Sequence, residues 1–349
     1  MMKTYQRPVA LIYGPDAQAQ IASGTAAPLA GLPHIAFTQA EWIERDGKTI
    51  TRRFVSLHEA KSHPSFAALT TPRPNFGPLP LTRTHVMGIL NVTPDSFSDG
   101  GVHYQTETAI AQARQMAADG ATILDIGGES TRPGAADVSI DEERARIMPV
   151  ITALAKDHCV SADTRKAVLM DKALQSGAAI INDVSALQFD PASASTVARA
   201  NAPVILMHAQ GNPRTMQQNP TYDDVALDVY DQLATLISKA EAAGITRANI
   251  MVDPGIGFGK TFAQNLELLQ QLALFHGLGV GLLIGLSRKG FIGAITGEKV
   301  AGQRLGGSIG GAMAAAMQGA QVLRVHDVKE TFTALQVLTS TLHPISVSI

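Results

Sequence analysis

From about residue 81 onward, short apolar segments alternate with helix-length segments eight times along the chain. Apolar runs of this length are typical of strands buried on both faces, and strands that alternate with helices indicate a parallel sheet. The predicted strands are 85–92, 122–128, 159–164, 180–184, 204–210, 250–256, 281–287 and 322–327. Eight strand–helix units in roughly 260 residues match a closed (β/α)₈ TIM barrel. A doubly wound open sheet is the alternative, because the number of strands alone does not prove closure.

The segments between these strands have the length and composition of helices. They are 107–119, 141–157, 166–176, 223–243, 263–275, 302–318 and 329–341. Several are followed by glycine, as at Gly120, Gly177 and Gly244, where a left-handed C-terminal cap is expected. These helices would form the outer layer of the barrel.

Residues 1–80 do not follow this alternation. The runs 35–45 and 48–56 flank Asp46-Gly47, a dipeptide typical of a hairpin turn. Residues 63–80 contain five prolines and are predicted to be an extended linker. We therefore divide the chain into a small N-terminal α+β extension with a Pro-rich linker (1–80), whose role is unassigned, and a barrel (81–349).

Charge and cysteine content limit the possible partners. The net charge of −2 does not favour binding to nucleic acid or to an anionic membrane. No segment reaches the ~20 apolar residues of a membrane span or the apolar core of a signal peptide. The one cysteine, Cys159, rules out an intrachain disulfide and is expected to be a buried bystander. We expect a cytoplasmic protein.

Polar residues follow the apolar part of every predicted strand. They are Asn91, Asp125, Asp163, Asn182, His208, Asp253, Ser287-Arg288-Lys289, Arg324 and His326. In a closed barrel the C-terminal ends of all strands meet at one mouth, where enzymes of this fold have their active sites. A single Asp at a strand end can instead cap the following helix, and for Asp125 both interpretations stay open.

Four potential cations lie at the ends of the last two strands. Arg324 and His326 are two positions apart, so their side chains point to the same face of a strand. Arg288 and Lys289 end the preceding strand, and a phosphate site beside strands seven and eight recurs in this fold. In a slightly acidic chain, this cluster indicates a ligand with several negative charges.

The opposite half of the predicted mouth is polar without being basic. The side chains of Asp163, Asn182 and Asp253 could donate to and accept from the edge of a heterocycle with alternating NH and C=O groups. Met207 could contact the face of a ring, although core packing explains it equally well. The segment 253–261 (DPGIGFGKT) imitates a nucleotide P-loop, but Pro254 occupies the position of the first required glycine.

Several of these motifs together resemble one enzyme family. Segments 87–101 (MGILNVTPDSFSDGG) and 125–134 (DIGGESTRPG) resemble the two signatures of dihydropteroate synthase. Further similarities lie at 161–164 (SADT), 181–184 (INDV), 207–208 (MH), 253–260, 287–289 (SRK) and 324–326 (RVH). The resemblance runs in order from about residue 83 to 342 and does not include residues 1–80.

The resemblance implies a transferase of folate biosynthesis and the target of sulfonamides. The family condenses 6-hydroxymethyl-7,8-dihydropterin pyrophosphate with p-aminobenzoate, requires Mg²⁺, and is usually a homodimer formed through the later helices of the barrel. By matching motifs, Asn91 would bind Mg²⁺, and Lys289, Arg324 and Asp253 would be catalytic. The pterin pyrophosphate would contact Thr131, Asp163, Asn182, Met207, Asp253, Lys289, Arg324 and His326. The p-aminobenzoate pocket would contain Thr131, Arg132, Pro133, Phe258 and Lys289.

Two departures and two alternatives accompany this resemblance. Ala162 and Ala209 replace larger residues often found in these motifs, which changes packing more than chemistry. Gly290 stands where many relatives carry a serine whose hydroxyl faces the p-aminobenzoate carboxylate, so this contact is in question. A pterin-binding methyltransferase barrel would read the same ring, but it would not need the basic residues at 288–289 and 324–326. A non-catalytic partner subunit would not need to retain four residues that this chain has together: Asn91, Asp253, Lys289 and Arg324.

Overall fold

The computed structural model describes residues 2–93, 102–129, 138–211 and 220–342, and its N-terminal part contains a small antiparallel sheet. Strand β3 is central: it pairs with β1 along one edge and with β2 and β4 along the other. The strands are β1 (Lys3–Tyr13), β2 (Ala27–Pro28), β3 (Ile35–Asp46) and β4 (Thr49–Ser56), and the helices are α1 (Gly14–Ala22), α2 (Leu57–Ala60) and α3 (Phe66–Thr70). The predicted hairpin at Asp46-Gly47 is confirmed, since Asp46 pairs with Thr49.

The remaining eight strands form a closed parallel barrel in chain order. They are β5 (His85–Asn91), β6 (Ile123–Gly127), β7 (Val160–Asp163), β8 (Ile180–Asp183), β9 (Val204–Met207), β10 (Ile250–Asp253), β11 (Gly281–Ile284) and β12 (Val322–Val325). Strand β12 pairs with β5 and completes the ring. Closure confirms the predicted (β/α)₈ barrel and excludes the open sheet.

Helices follow the strands and cover the outside of the barrel. They are α4 (Val102–Ala118), α5 (Ile140–Leu154), α6 (Ala167–Gln175), α7 (Ser193–Ala200), α8 (Val225–Ala242), α9 (Phe262–Gln270), α10 (Gly290–Thr296), α11 (Leu305–Met317) and α12 (Val328–Leu342). The short helices α7 and α10 were not among the predicted segments, because fewer than three turns leave little periodicity to detect. None of the helices in the described ranges has both the length and the apolar composition that a membrane crossing requires.

Several strands end earlier than the sequence predicted. Strand β9 ends at Met207, β11 at Ile284 and β12 at Val325, whereas the predicted strands continued for two or three residues. The polar residues His208, Ser287 and His326 therefore lie in the loops that leave the strands. Their side chains are directed by loop geometry, not by the alternation of a strand.

Residues just before β5 form the floor of the barrel. Phe76 and Leu79 pair in an isolated bridge and are buried together with Leu81. They pack against inward-facing residues near the N-terminal ends of the strands: Met87, Ile123, Ile180, Ile205, Met251, Leu283 and Val322. The segment 63–80, interpreted from its prolines as an extended linker, thus contains helix α3 and part of the barrel core.

Candidate active site

The C-terminal ends of the barrel strands surround a cavity of about 720 Å³. Six residues predicted for the site line it: Asn91, Asp163, Phe258, Lys289, Arg324 and His326. They come from five different strands or the loops that follow them. The barrel topology brings them together although up to 235 positions separate Asn91 from His326 in sequence (326 minus 91).

Arg324 bridges two carboxylates inside the barrel mouth. Its Nε donates to Asp125 Oδ2 at 2.6 Å, and its Nη2 donates to Asp163 Oδ2 at 2.7 Å. Burial lowers the pKa of the Arg324 guanidinium, but the two carboxylates outweigh burial and raise it above its ordinary value. The guanidinium is therefore always charged, and it is held in place before any ligand arrives.

Asp125 has a site role that the sequence left open between ligand contact and helix cap. Its side chain is fully buried and accepts hydrogen bonds from Arg324 Nε and, at 3.1 Å, from Asn182 Nδ2. Its second oxygen, Oδ1, is a buried acceptor with no protein partner within the described ranges. Asp125 thus orients an arginine and an amide at the mouth, and the cap interpretation is wrong.

Arg324, Asp125 and Asp163 form a trio with two acidic side chains and only one basic side chain. Two carboxylates, Asp125 and Asp163, share one guanidinium in a buried environment. Burial first, and then the neighbouring Asp125, raise the pKa of the Asp163 carboxyl well above its ordinary value. A carboxyl that is easily protonated can either donate or accept a hydrogen bond, as the edge of a heterocycle requires.

Asp253, at the end of β10, starts a tight turn that carries several cavity residues. Its Oδ1 accepts the backbone N–H of Gly255 at 2.7 Å. Gly255 has φ +68°, and a Cβ there would lie 1.9 Å from the carbonyl oxygen of His208, so no other residue fits. Burial raises the pKa of the Asp253 carboxyl, while the nearby Lys289 ammonium opposes this increase.

Lys260 holds the same turn from inside. Its Nζ donates to the carbonyl oxygens of Gly255 and Phe258, each at 2.9 Å, and lies 2.9 Å from Nδ1 of His208. Burial lowers the pKa of Lys260 to about 7. The lysine of the P-loop-like segment therefore binds backbone carbonyls, which bears out the rejection of a phosphate loop. Sequence analysis missed this bracing role, since nothing local distinguishes such a lysine from a surface one.

Lys289 lies between the turn and the barrel mouth. Its Nζ donates to the carbonyl oxygen of Ile256 and lies 4.3 Å from the centre of the Phe258 ring. Burial lowers the pKa of Lys289 to about 8, against the opposing effect of Asp253. Lys289 and Phe258, both predicted for the p-aminobenzoate pocket, are thus in direct contact.

Arg288 differs from its predicted role as one of four ligand-binding cations. Its guanidinium forms a two-fold ion pair with Asp327, with Nε 3.0 Å from Oδ2. Arg288 therefore lines the cavity with its charge paired to Asp327, and Lys289, Arg324 and His326 are the basic lining residues that were predicted to contact the ligand. His326 is anchored by Ser287, whose Oγ accepts the His326 backbone N–H at 3.2 Å and lies 3.1 Å from Nδ1.

Glu129 also lines the cavity and was not predicted. It accepts hydrogen bonds from Arg165 at 2.9 and 3.2 Å and from Lys166 at 3.1 Å. Lys166 also contacts the buried Glu143. This network is a buried, mutually neutralising set of charges at the end of β6, and its signal in the sequence is only the Glu in the segment 125–134.

Three predicted contacts, Thr131, Arg132 and Pro133, lie outside the described residues. Met207 ends β9, is paired in register with Asp253 on β10, and is 6% exposed. Asn182 is the next-to-last residue of β8 and is paired in register with Asp163 on β7. The three residues predicted to read a heterocycle are therefore on neighbouring or facing strands of one mouth.

Cys159 lies at the other end of the barrel, just before β7. It packs against the barrel-floor cluster, and burial raises the pKa of its thiol to about 11. A thiol so rarely ionised is a poor nucleophile, in agreement with the predicted bystander role.

Asn91 is the cavity residue that the family resemblance implies as a metal ligand. It is half-buried at the end of β5 and offers one carboxamide oxygen to the cavity. Within the described ranges, no group of three or more His, Cys, Asp or Glu residues could hold a metal. Mg²⁺ commonly binds one or two protein oxygens and completes its octahedron with water and substrate phosphates. The donor set therefore fits Mg²⁺ shared with a phosphorylated ligand.

Comparisons with known proteins agree with this geometry. The model of the family "Pterin binding enzyme" matches residues 87–326. Dihydropteroate synthase of Escherichia coli (strain K12) is 48% identical over 266 residues, which cover 76% of this chain and 94% of that protein.

Two solved structures of dihydropteroate synthase from Xanthomonas albilineans are also similar. The structure with 4-aminobenzoic acid superposes with a TM-score of 0.71 at 47% identity, covering 75% of this chain and 94% of that chain. The complex with 7,8-dihydropteroate has a TM-score of 0.68 at 44% identity, with the same coverage of both chains. The chain described here belongs to the dihydropteroate synthases, within the family of pterin binding enzymes.

Proposed function

We propose that this enzyme joins 6-hydroxymethyl-7,8-dihydropterin pyrophosphate to p-aminobenzoate, which yields 7,8-dihydropteroate and pyrophosphate. The observation that carries the proposal is the division of one cavity into two sides. Lys289 and Arg324 provide positive charge in this cavity beside the imidazole of His326, and Asp163 provides a buried carboxyl with a raised pKa. Asp253, whose carboxyl pKa is also raised, lies close to Lys289 at the end of β10 but does not itself line the cavity. A ligand with a pyrophosphate at one end and an NH-rich ring at the other matches both sides.

We assign the pterin ring to Asp163, Asn182 and Asp253. All three side chains are already oriented by other residues: Asp163 by Arg324, Asn182 by Asp125, and Asp253 by the N–H of Gly255. Preorganised polar groups reject ligands that leave them unpaired, because an unmatched buried group costs about 1–3 kcal/mol. Met207 would lie against the ring face, where a thioether sulfur is favourable.

The reaction needs stabilisation of a leaving group more than acid–base catalysis. The neutral arylamine nitrogen attacks the methylene carbon attached to the pterin, a C–N bond forms and the C–O bond to pyrophosphate breaks. The electron pair leaves with pyrophosphate, and the nitrogen loses one proton to solvent. Arg324 and His326 would bind the departing anion, and fixed charges of this kind stabilise the transition state without reorganising.

Asn91 would hold Mg²⁺ against the pyrophosphate oxygens. When bound, the ion supplies further positive charge at the leaving group. Lys289 would contact both substrates from its position between Asp253 and Phe258. Thr131, Arg132 and Pro133 would complete the p-aminobenzoate pocket, as the family resemblance implies.

The proposed reaction can be tested by measuring pyrophosphate release while p-aminobenzoate is titrated with Mg²⁺ and the pterin pyrophosphate present. We expect release that saturates with p-aminobenzoate and stops when EDTA removes the metal. A pterin-binding methyltransferase or a non-catalytic partner subunit would release no pyrophosphate at any p-aminobenzoate concentration. Such a result would refute the proposal.

Gly290→Ser is expected to strengthen p-aminobenzoate binding. Gly290 begins α10 at the cavity edge, is exposed, and has open space within 4 Å of the position of a Cβ. A serine hydroxyl there could donate to the substrate carboxylate, and a hydrogen bond contributes about 0.5–1.5 kcal/mol, or roughly twofold to tenfold in affinity. We expect KM for p-aminobenzoate to fall by that factor. Gly290→Ala adds the Cβ without the hydroxyl, and an equal effect of that variant would contradict the explanation.

We also propose a homodimer formed through the later helices and a cytoplasmic location. The apolar side chains of Ile295 and Val300, beside α10, are 57% and 55% exposed, and exposed apolar side chains close together often mark an interface. On α11, the positions of Gly306 and Gly310 have open space where a Cβ would lie, which allows close approach of another helix.

A further inference from the structure

The N-terminal sheet lies outside the matched family region, which begins at residue 87, yet it makes partly buried ion pairs with the barrel. Arg45, at the end of β3, contacts Asp228 of α8 at 2.5 Å and Asp223 at 3.6 Å. Arg52, on β4, contacts Asp224 at 2.6 Å. These three contacts fall on the first turn of α8 and the residues before it, while other contacts of the sheet reach Asp231 in the second turn of α8, Gln271 and Met317.

These ion pairs hold the helix start in a defined way. Asp224 is the N-cap of α8: its Oδ1 accepts the backbone N–H of Leu227 at 3.0 Å while its Oδ2 accepts Arg52. Asp228 accepts the backbone N–H of Asp223 at 2.8 Å with one oxygen and Arg45 with the other. In the Arg45–Asp228 and Arg52–Asp224 pairs the side chains are 10–29% exposed, so solvent screens these two pairs less than ordinary surface pairs.

The chain just before this helix start contacts the active-site turn. The hydroxyl of Tyr222 donates to the carbonyl oxygen of Gly259 at 2.8 Å. Gly259 lies between Phe258 and Lys260, both of which line the cavity. A Cβ at Gly259 would lie 2.6 Å from the carbonyl oxygen of Gln210, so the turn is confined on this side as well.

We propose that the N-terminal sheet is a positioning element for the active site, with Arg45, Arg52 and Tyr222 as its positioning residues. The two arginines fix residues 222–228, and Tyr222 fixes the turn that presents Phe258 to the p-aminobenzoate pocket. None of the three touches substrate. The inference rests on the proposed function for the identity of that substrate, and it assigns a role to residues that the sequence left without one.

The test compares full-length variants that break or spare this connection. Arg45→Met/Arg52→Met removes the arginine contacts with the start of α8, together with the contacts of Arg52 with Gln271 and Glu41. Arg53→Met is the matched control, because Arg53 also lies on β4 but pairs with Glu59 inside the N-terminal unit, at 2.5 Å, and lies 5.1 Å from the Trp42 ring centre. Tyr222→Phe removes only the hydroxyl that binds Gly259. Thermal unfolding of each variant identifies a temperature at which all are folded.

We expect Arg45→Met/Arg52→Met and Tyr222→Phe each to raise KM for p-aminobenzoate about fivefold, within the range seen when coupled residues are changed. The change in kcat should be smaller, and Arg53→Met should leave both constants unchanged. Because the arginines act through Tyr222, the variant that combines Arg45→Met, Arg52→Met and Tyr222→Phe should show no further increase in KM. Arg45→Lys/Arg52→Lys, which keeps the charges, should restore most of the wild-type KM.

Other outcomes distinguish the possible failures. A purely structural role would lower the unfolding temperature and the active fraction, and therefore kcat, with KM unchanged. That result, an equal effect of Arg53→Met, or a KM increase in the combined variant equal to the product of the separate increases would overturn the proposal. If the wild-type enzyme released no pyrophosphate, the proposed function would be wrong, but the coupling could still be measured as hydrogen exchange at the 255–260 turn. The arginine variants should accelerate this exchange, and Arg53→Met should not.

Discussion

Replacing Arg324 with methionine should lower both stability and activity more than any other single change at the site. The substitution removes the cation that contacts both Asp125 and Asp163, and among the described residues no other cation forms an ion pair with either carboxylate. Breaking a buried pair in this way typically costs about 3–5 kcal/mol of unfolding free energy. Loss of a fixed charge at the leaving group should also lower kcat/KM by on the order of 10³-fold. Urea unfolding and pyrophosphate release measure the two effects separately.

The stability loss of Arg324→Met should depend on pH in a defined direction. Burial and Asp125 already raise the pKa of Asp163, and removal of the guanidinium raises it further. A carboxyl with a raised folded-state pKa binds its proton more tightly when folded, so the unfolding free energy rises as pH falls through that pKa toward the unfolded value near 4. The variant should therefore be least stable above pH 8 and recover part of its stability by pH 5.

A compensated variant separates charge balance from function. Arg324→Met/Asp125→Asn/Asp163→Asn contains no unpaired carboxylate in the trio and should recover most of the lost stability. It should remain inactive, because the charge that would face pyrophosphate is still absent. If Arg324→Met were as stable as wild type at pH 8, the guanidinium would not be neutralising these carboxylates, and the electrostatic description of the site would be wrong.

The barrel and much of its mouth could be predicted from the sequence, because one rule of the fold connects a residue's position after a strand with its location in the barrel. Residues that follow the apolar strands must meet at the same end of a parallel barrel, so Asp163, Lys289 and Arg324 could be grouped without any known contact. Motif order then identified the family. Neither step required knowledge of which side chains touch.

Pairings between distant segments could not be predicted. Arg288 looked like a ligand-binding cation until its partner, Asp327, was seen 39 positions later. In sequence, Lys260 belongs to a segment that resembles a P-loop. In the structure it donates to the carbonyl oxygens of Gly255 and Phe258 beside His208, and these contacts depend on how the turn folds. In both cases the residue type was noticed and the role was decided by tertiary contacts that no local periodicity encodes.

The N-terminal sheet is a larger example of contacts between distant segments that the sequence does not predict. Its hairpin was predicted from Asp46-Gly47, but its contacts with α8 join residues 172 and 183 positions apart, as in Arg52–Asp224 and Arg45–Asp228. The prolines of the segment 63–80 also predicted a linker, although Phe76 and Leu79 in this segment complete the barrel floor. A truncated chain that starts at Leu81 would lack both, so single substitutions in the sheet are the sharper test of its role.

Lys289→Ala is expected to lower kcat/KM by on the order of 10²-fold with little change in stability. Lys289 lies beside Asp253 and over the Phe258 ring. Loss of a charge-assisted contact costs about 1.5–3 kcal/mol, where each ~1.4 kcal/mol is tenfold in rate.

Burial lowers the pKa of Lys289 to about 8, and only the protonated form carries the charge, so wild-type kcat/KM should fall as pH rises through that value. This alkaline decrease should be absent or much weaker in Lys289→Ala. Lys299→Ala, which changes an exposed lysine after α10, is the control and should keep the wild-type profile; an unchanged kcat/KM in Lys289→Ala would remove Lys289 from the reaction.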